Sequence, residues 1–252
     1  MLVNERHDVI LKKLEKYGVV YVSELSRLFS VSEETIRRDL ERLEEEGFAR
    51  RCYGGASFQG GKDVPIVVRR KTNVTGKRRI ADELVEMIPD GAVIALDDST
   101  TANFVAEALK EKSELTVITY SLEIALLLAD KKEWNIILTG GKLNSKHHSL
   151  LGPRVYESIC NYSIDWTIIS CAGMDVKRGF FDAEEDNAKN KQAMIDAAEH
   201  VILAADEQKF GRKSLTLVAP FEAVETIVTD FEPDEKWKAA FEKKNVKLVC
   251  AL

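Results

Sequence analysis

Cysteine is scarce in this sequence and nowhere paired. Cys52, Cys160, Cys171 and Cys250 include no Cys-x-x-Cys spacing. That argues against a zinc ribbon or a disulfide framework and favours the reduced thiols of a cytosolic protein. His147 and His148 are adjacent, so they cannot face one metal ion as i, i+4 histidines on a helix do. They read as loop residues, and no metal site is expected. No apolar run is long enough to cross a bilayer. No secretory signal is expected either, because residues 1–8 are polar and lead straight into a helix. No internal repeat is visible. A positive excess is also lacking. The net charge is −6, and residues 1–56 carry ten Lys/Arg against eleven Asp/Glu. A non-specific binder of nucleic acid is more basic than this.

What is present is ample material for two domains: 252 residues, 45% hydrophobic and 31% charged. The most informative stretch is SVSEETIRRDLERL, residues 30–43. Ile36, Leu40 and Leu43 recur at i, i+4, i+7, one apolar face of a helix. At about 100° per residue, Thr35, Arg38 and Arg42 fall on the opposite side. Ser32 is an N-cap candidate, Ser30 with Glu33 fits a capping box, and Gly47 fits a C-cap. A shorter helix over 23–29 comes just before. Two short helices and a tight turn, the second with Thr and Arg exposed near its start, read as a helix-turn-helix. An ordinary surface helix with solvated charges is the bland alternative. Arg37, Arg38, Arg42, Arg50 and Arg51 cluster while Glu44, Glu45 and Glu46 sit at the far end, so a local positive face is expected.

Around this motif the pattern predicts a helix over 5–16 with Val9, Ile10, Leu14 and Tyr17 inward. A short β link follows at 19–22, and a strand pair at 48–57 forms a wing whose Arg50 and Arg51 can meet phosphates. The segment SFQGGKDVP, residues 57–65, has the composition of a linker. The expected division is 1–57, a winged helix-turn-helix domain; 58–65, the linker; and 66–252, a larger domain.

In that larger part a Lys/Arg-rich helix is predicted over 67–87. Short β-rich runs then fall at 92–96, 115–119, 135–139, 166–171, 201–204, 226–229 and 246–250. They alternate with helices over 101–110, 122–129, 154–161, 187–198 and 234–244. Such alternation implies an α/β domain with a mostly parallel sheet. Ligands of open α/β sheets bind at the carboxyl ends of the strands. The polar loops there are Asp97-Asp98-Ser99-Thr100-Thr101, Thr119-Tyr120-Ser121, Thr139-Gly140-Gly141, Ala172-Gly173-Met174-Asp175, and Asp206 with Lys209-Phe210-Gly211. Hydroxyls and N–H groups at a helix N-terminus form an anion site. Each loop alone reads more readily as a cap or turn than as a site; five on one sheet edge reverse that reading.

The residues Thr35-Ile36-Arg37-Arg38-Asp39-Leu40, followed by Gly47-Phe48-Ala49-Arg50-Arg51-Cys52-Tyr53-Gly54-Gly55-Ala56, resemble the T-I-R-R-D-L helix and G-[LF]-x-x-R-x-x-G-G-A segment of the DeoR family of bacterial transcriptional regulators. The later loops resemble, in order, that family's effector domain: D-x-G-T-T, T-N-S, L-T-G-G, a lone Gly at Gly152, G-x-D, K-x-x-M at Lys191 and Met194, and D-x-x-K-[FL]-G. That domain is similar in fold to ribose-5-phosphate isomerase. The resemblance implies DNA contacts from Ser32, Thr35, Arg37, Arg38, Arg42, Arg50 and Arg51. It implies an effector site of Asp97, Ser99, Thr100, Thr101, Thr119, Tyr120, Ser121, Gly140, Gly141, Gly152, Asp175, Lys191 and Lys209. In that site Thr100 and Thr101 hold phosphate, Asp97 meets a sugar hydroxyl, Gly140 and Gly141 let backbone approach, and Lys209 adds positive charge. Ser99 departs from the usual Gly, Tyr120 from Asn, and Asn187 from the Glu common four residues before the Lys.

The implied function is a sequence-specific regulator, most often a repressor of a carbohydrate operon. Its partners would be operator DNA and a phosphorylated sugar or related metabolite, with no catalysis, no cofactor and no membrane, in a cytoplasmic homodimer or homotetramer. The rival from another class is a sugar-phosphate isomerase or deaminase fused to a DNA-binding module; no acid and base stand at a spacing that demands it. A partner-binding scaffold is a third reading, opposed by the presence of Thr35, Arg37 and Arg38.

Overall fold

The computed structural model describes residues 3–17, 19–58 and 66–252, and the chain divides into two compact units, Met1–Thr72 and Asn73–Leu252. Most of the expected linker, 59–65, lies outside the described residues.

The first unit opens with α1 (Val3–Tyr17), β1 (Val19–Tyr21), α2 (Val22–Phe29) and α3 (Glu33–Glu45). The inward stripe of α1 is Ile10, Leu11 and Leu14. Tyr17, expected inside, is 61% exposed and lies under the Lys13 ammonium; the last turn of α1 runs beyond the small core. Ser30 does not open α3. It closes α2 in the left-handed region at φ 54°, so the capping box with Glu33 does not form. Ser32 is the cap instead, its Oγ accepting the Thr35 N–H at 3.1 Å. Ile36, Leu40 and Leu43 are buried as the periodicity requires. At the far end Gly47 takes φ 80°, Phe48 N–H bonds Leu43 O at 2.7 Å and Gly47 N–H bonds Glu44 O at 2.9 Å. This paired closure needs a residue without Cβ strain at its left-handed position. The strands β2 (Ala49–Cys52) and β3 (Gly55–Phe58) form the wing, and β1 adds to β3 in the order β1-β3-β2, all antiparallel. The same unit includes α4 (Ile66–Lys71), whose Ile66 is fully buried.

The helix expected over 67–87 is two helices, because α5 (Val74–Met87) starts afresh after Asn73. Asn73 sits at φ 48° and donates from Nδ2 to Asp230 at 2.7 Å. Asn is among the few residues that visit this region readily. A Cβ on Gly76 would collide with the Asp230 carboxylate and the Asn73 amide, so a larger residue here displaces that pairing.

The chain continues through β4 (Val93–Leu96), α6 (Thr100–Ala108), β5 (Thr116–Thr119), α7 (Leu122–Leu128), β6 (Asn135–Leu138), β7 (Lys142–Asn144), β8 (Ser149–Leu151), α8 (Pro153–Ile159) and β9 (Ile164–Ile169). Then come β10 (Gly173–Asp175), β11 (Gly179–Asp182), α9 (Glu185–Asp196), β12 (Ala198–Ala204), β13 (Thr216–Ala219), β14 (Thr226–Thr229), α10 (Glu235–Lys243) and β15 (Lys247–Cys250). All seven β-rich runs join one parallel sheet, in the order β15-β14-β12-β9-β4-β5-β6. Side chains alternate between its faces. Ile94, Leu96, Val117 and Ile168 pack under α5, α6 and α7, while Ala95, Ile118 and Ile169 pack with Val155, Met194 and Phe241 on the other side. The antiparallel pair β7–β8 and the small sheet β10-β11-β13 are additions that the sequence pattern did not reveal. Among the described residues no helix is long and apolar enough to cross a membrane. From β4 the chain winds outward through β5 and β6, then returns to β9 on the other flank. The crevice between the carboxyl ends of β4 and β9 is therefore the switch point where such sheets bind ligands.

Candidate nucleic-acid interface and candidate ligand crevice

On α3 the residues Thr35, Arg37, Arg38 and Arg42 face outward, opposite the buried Ile36, Leu40 and Leu43. Ser32 is exposed as well, and its Oγ also meets the Thr35 hydroxyl at 2.8 Å. The expected positive face is largely self-neutralised. Arg37 reaches Glu33 at 2.7 Å, Arg38 reaches Glu34 at 3.5 Å, and Arg51 is held back on α3 by Glu44 at 3.0 Å and Glu41 at 3.3 Å. Among the described residues Arg42 and Arg50 have no ion-pair partner, which makes Arg50 the free cation of the wing. Exposed pairs of this kind are weak and readily exchanged for phosphate. Tyr53, at the tip between β2 and β3, is fully exposed; its position was readable only once the hairpin was known.

Behind this face lies a buried cluster that the sequence reading missed. Arg6 on α1 donates to Asp39 on α3 through Nε at 2.5 Å and an Nη at 2.9 Å, and His7 Nε2 lies 3.0 Å from the same carboxylate. All three are more than nine-tenths buried. Burial pushes the Asp39 carboxyl up, but the bonds from Arg6 and His7 outweigh it and hold it below its ordinary value. Asp39 thus fixes the helix that presents Thr35 and Arg38.

At the crevice the expected site residues separate by role. Ser99 and Ser121 are helix caps, accepting the N–H groups of Ala102 and Ile124. Thr119 donates to Leu96 O at 2.8 Å and accepts the Ser121 N–H. Asp97, expected to meet a sugar hydroxyl, is fully buried and its two oxygens are taken by Ser99 N–H at 2.9 Å and Ser170 N–H at 2.8 Å. It stitches β4 to β9. Asp175 Oδ1 receives the N–H groups of Lys177 and Arg178 in the β10–β11 turn. Lys191 is buried, bonded to Asp182 at 2.5 Å and to Ser170 O at 2.8 Å, with Asp97 at 3.3 Å. Burial alone would lower its pKa, but Asp182, Asp97 and Asp98 raise it, so the ammonium stays charged.

The groups left free are Thr100, Thr101 and Lys209. As the first two residues of α6, the threonines have no intrahelical acceptor for their N–H groups, and their hydroxyls have no partner among the described residues. Lys209, half-buried beside Cys171, is likewise without an ion pair among the described residues. Burial pushes the Cys171 thiol up to about 12, so it is an inert neighbour. Tyr120 is wholly buried in the core. Its phenol is pushed well above its ordinary value by burial and by Asp98, Asp97 and Asp182. Gly140 is exposed and open around its Cα, while Gly141 and Gly152 take φ 144° and 96°. The last two line a cleft of about 1020 Å³ with Lys142, Arg154, Glu184 and Asp186. One wall of that cleft is the first turn of α9, which also carries Asn187. Among the described residues no group of His, Cys, Asp and Glu is placed to hold a metal ion.

Two family models match this chain: a DeoR-like helix-turn-helix domain over residues 6–60 and a DeoR C terminal sensor domain over 72–231. The HTH-type transcriptional regulator YulB of Bacillus subtilis (strain 168) is 40% identical over 252 residues, 99% of this chain and 97% of that protein. The glycerol-3-phosphate regulon repressor of Escherichia coli (strain K12) is 33% identical over 92% of this chain and 93% of its own length. The L-fucose operon activator of Haemophilus influenzae is 32% identical over 90% and 92%.

Proposed function

The chain belongs to the DeoR family of transcriptional regulators, and on that premise we propose that this DNA-binding regulator represses a carbohydrate operon under the control of a phosphorylated sugar or related metabolite. It is a regulator and not an enzyme. We assign operator contacts to Ser32, Thr35, Arg37, Arg38 and Arg42 on or at α3 and to Arg50 and Arg51 in the wing, with Arg50 meeting phosphate and α3 reading the major groove. One helix-turn-helix covers only a few base pairs, so the working form is a cytoplasmic homo-oligomer on a two-fold operator. We place the DNA-binding domain in the first unit, whose wing runs to Phe58, and the effector in the crevice of the second unit, which begins at Asn73.

The observation that carries the effector reading is the unused N–H and hydroxyl groups of Thr100 and Thr101 at a helix start, with the unpaired Lys209 on the same sheet edge. The test pairs Thr101→Val with Lys209→Ala. Each charge-assisted hydrogen bond contributes about 1.5–3 kcal/mol, so the double variant keeps operator affinity and loses the response to sugar phosphates. By reciprocity, operator DNA changes the effector affinity of the wild-type chain and not of the variant. An undiminished response in the variant places the effector elsewhere.

A further inference from the structure

We propose that α9 carries a hydroxyl-reading subsite, formed by Asn187 and Asn190, which selects a polyhydroxylated monophosphate over a bare anion or a bisphosphate. The proposal rests on the anion cradle assigned above and names what lies next to it. Asn187 donates from Nδ2 to the Asp98 carboxylate at 3.2 Å. Asn190 donates from Nδ2 to Leu150 O at 3.3 Å. In both, the opposite flip would set an amide oxygen against an acceptor, so the orientation is fixed by chemistry. Each therefore presents its Oδ1, and neither Oδ1 has a hydrogen-bond partner although both residues are at least 95% buried. Spaced i, i+3, they share one face of α9.

Two further hydroxyls with unused capacity lie on the segments around them, Ser149 Oγ, which has no partner, and Tyr120 Oη, which meets only the Asp98 backbone. The segments are joined: Leu150 N–H bonds Tyr120 O at 2.8 Å, and Ser149 bridges to Ser121. The Tyr120 hydroxyl also feels the Asp98 carboxylate that orients Asn187, two residues before Thr100. Folded proteins rarely leave buried amide oxygens unmatched. Amide oxygens only accept, so the missing partner must donate. Hydroxyls on neighbouring carbons meet that need, with the Tyr120 hydroxyl free to donate and that of Ser149 free to donate or accept. A second phosphate would face acceptors and the Asp98 carboxylate, and is rejected. The departures at Tyr120 and Asn187 thereby become the specificity determinants of this chain.

The experiment is calorimetric titration of the full chain with inorganic phosphate, ribose 5-phosphate, 2-deoxyribose 5-phosphate, sorbitol 6-phosphate and fructose 1,6-bisphosphate. At least one polyhydroxylated monophosphate binds about tenfold or more tighter than inorganic phosphate, and the bisphosphate gains nothing. Asn190→Leu removes about tenfold of that gain and leaves phosphate affinity unchanged. Tyr120→Phe, which keeps the ring packing, serves where the leucine variant fails to fold and lowers the same gain about threefold. The subsite is overturned if phosphate binds but no monophosphate improves on it, because water then satisfies these oxygens. It is also overturned if the variants bind every probe as wild type does. If no probe binds, or if Lys209→Ala leaves phosphate affinity unchanged, the anion cradle falls instead.

Discussion

The two functional regions keep their charge in opposite ways. On α3 the arginines stand in water, with the Arg38 side chain 77% exposed and its Glu34 partner 63% exposed. In the crevice the Lys191 side chain is 3% exposed and that of Asp97 not at all. The first arrangement holds its cations in exchangeable pairs that a phosphate backbone can replace. The second fixes a cation permanently, so that it shapes the site without being lost to solvent. Function is therefore separable from stability on the recognition helix and inseparable from it in the crevice.

The largest effect that would sharpen this contrast is Lys191→Met. Removing one partner of a buried pair leaves Asp182 and Asp97 uncompensated, at a cost of about 3–5 kcal/mol to the second unit. Asp182 carries a pH signature as well. Burial raises its pKa, but Lys191 overcomes this and holds it below the ordinary 3.8. A depressed carboxylate stabilises the fold above its unfolded pKa, and that contribution is lost as pH falls through the folded one. In wild type the loss sets in below about pH 4; in Lys191→Met burial is opposed only by the N–H groups of Ala183 and Glu184, so acid costs less stability through Asp182. Calorimetry over that range checks both statements, and an unchanged unfolding temperature breaks the comparison.

A smaller effect is expected at the buried cluster of the first unit. Asp39→Leu strands Arg6 and costs about 3 kcal/mol, with operator affinity falling as α3 loses its anchor. Adding Arg6→Met restores most of the stability, since an apolar replacement of a buried pair is near neutral. Chemical denaturation of the single and double variants separates this from loss of packing alone. The smallest effect on the fold comes from Arg38→Ala. It lowers operator affinity by about 1–3 kcal/mol if Arg38 reads a guanine, while stability moves by less than about 0.5 kcal/mol. Fluorescence anisotropy with cognate and scrambled duplexes measures it; wild-type affinity would mean that another residue reads the groove.

How far the sequence carried this picture follows from distance along the chain. The seven parallel strands and the helices between them were legible because each is a local run with its own period. The pair β7–β8 and the sheet β10-β11-β13 were not, since strands of three or four residues leave no period to read. Ser30 misled because the same polar residues that cap helices also take left-handed turns, and the break in the helix expected over 67–87 rests on a single left-handed residue, Asn73. The caps Ser99 and Ser121 were named as alternatives, but only geometry separates them from the unused Thr100 and Thr101. The Arg6–Asp39 pairing spans 33 positions, and Asp39 beside two arginines looked like one more solvated charge. Asn190 gave no signal at all, because its significance lies in an oxygen that nothing in the chain answers.

The staple of Asn73, Gly76 and Asp230 has a practical meaning for anyone who wishes to graft this sensor onto another DNA reader. Asp230 stands just after β14, so the first residue of the second unit is fastened to the far flank of its own sheet. A donor fragment cut to begin at Asn73 carries its own clasp; one cut a single residue later discards it and leaves the Asp230 carboxylate facing the bare start of α5. The junction for a chimaera is therefore between Thr72 and Asn73, with the replaceable length entirely on the upstream side.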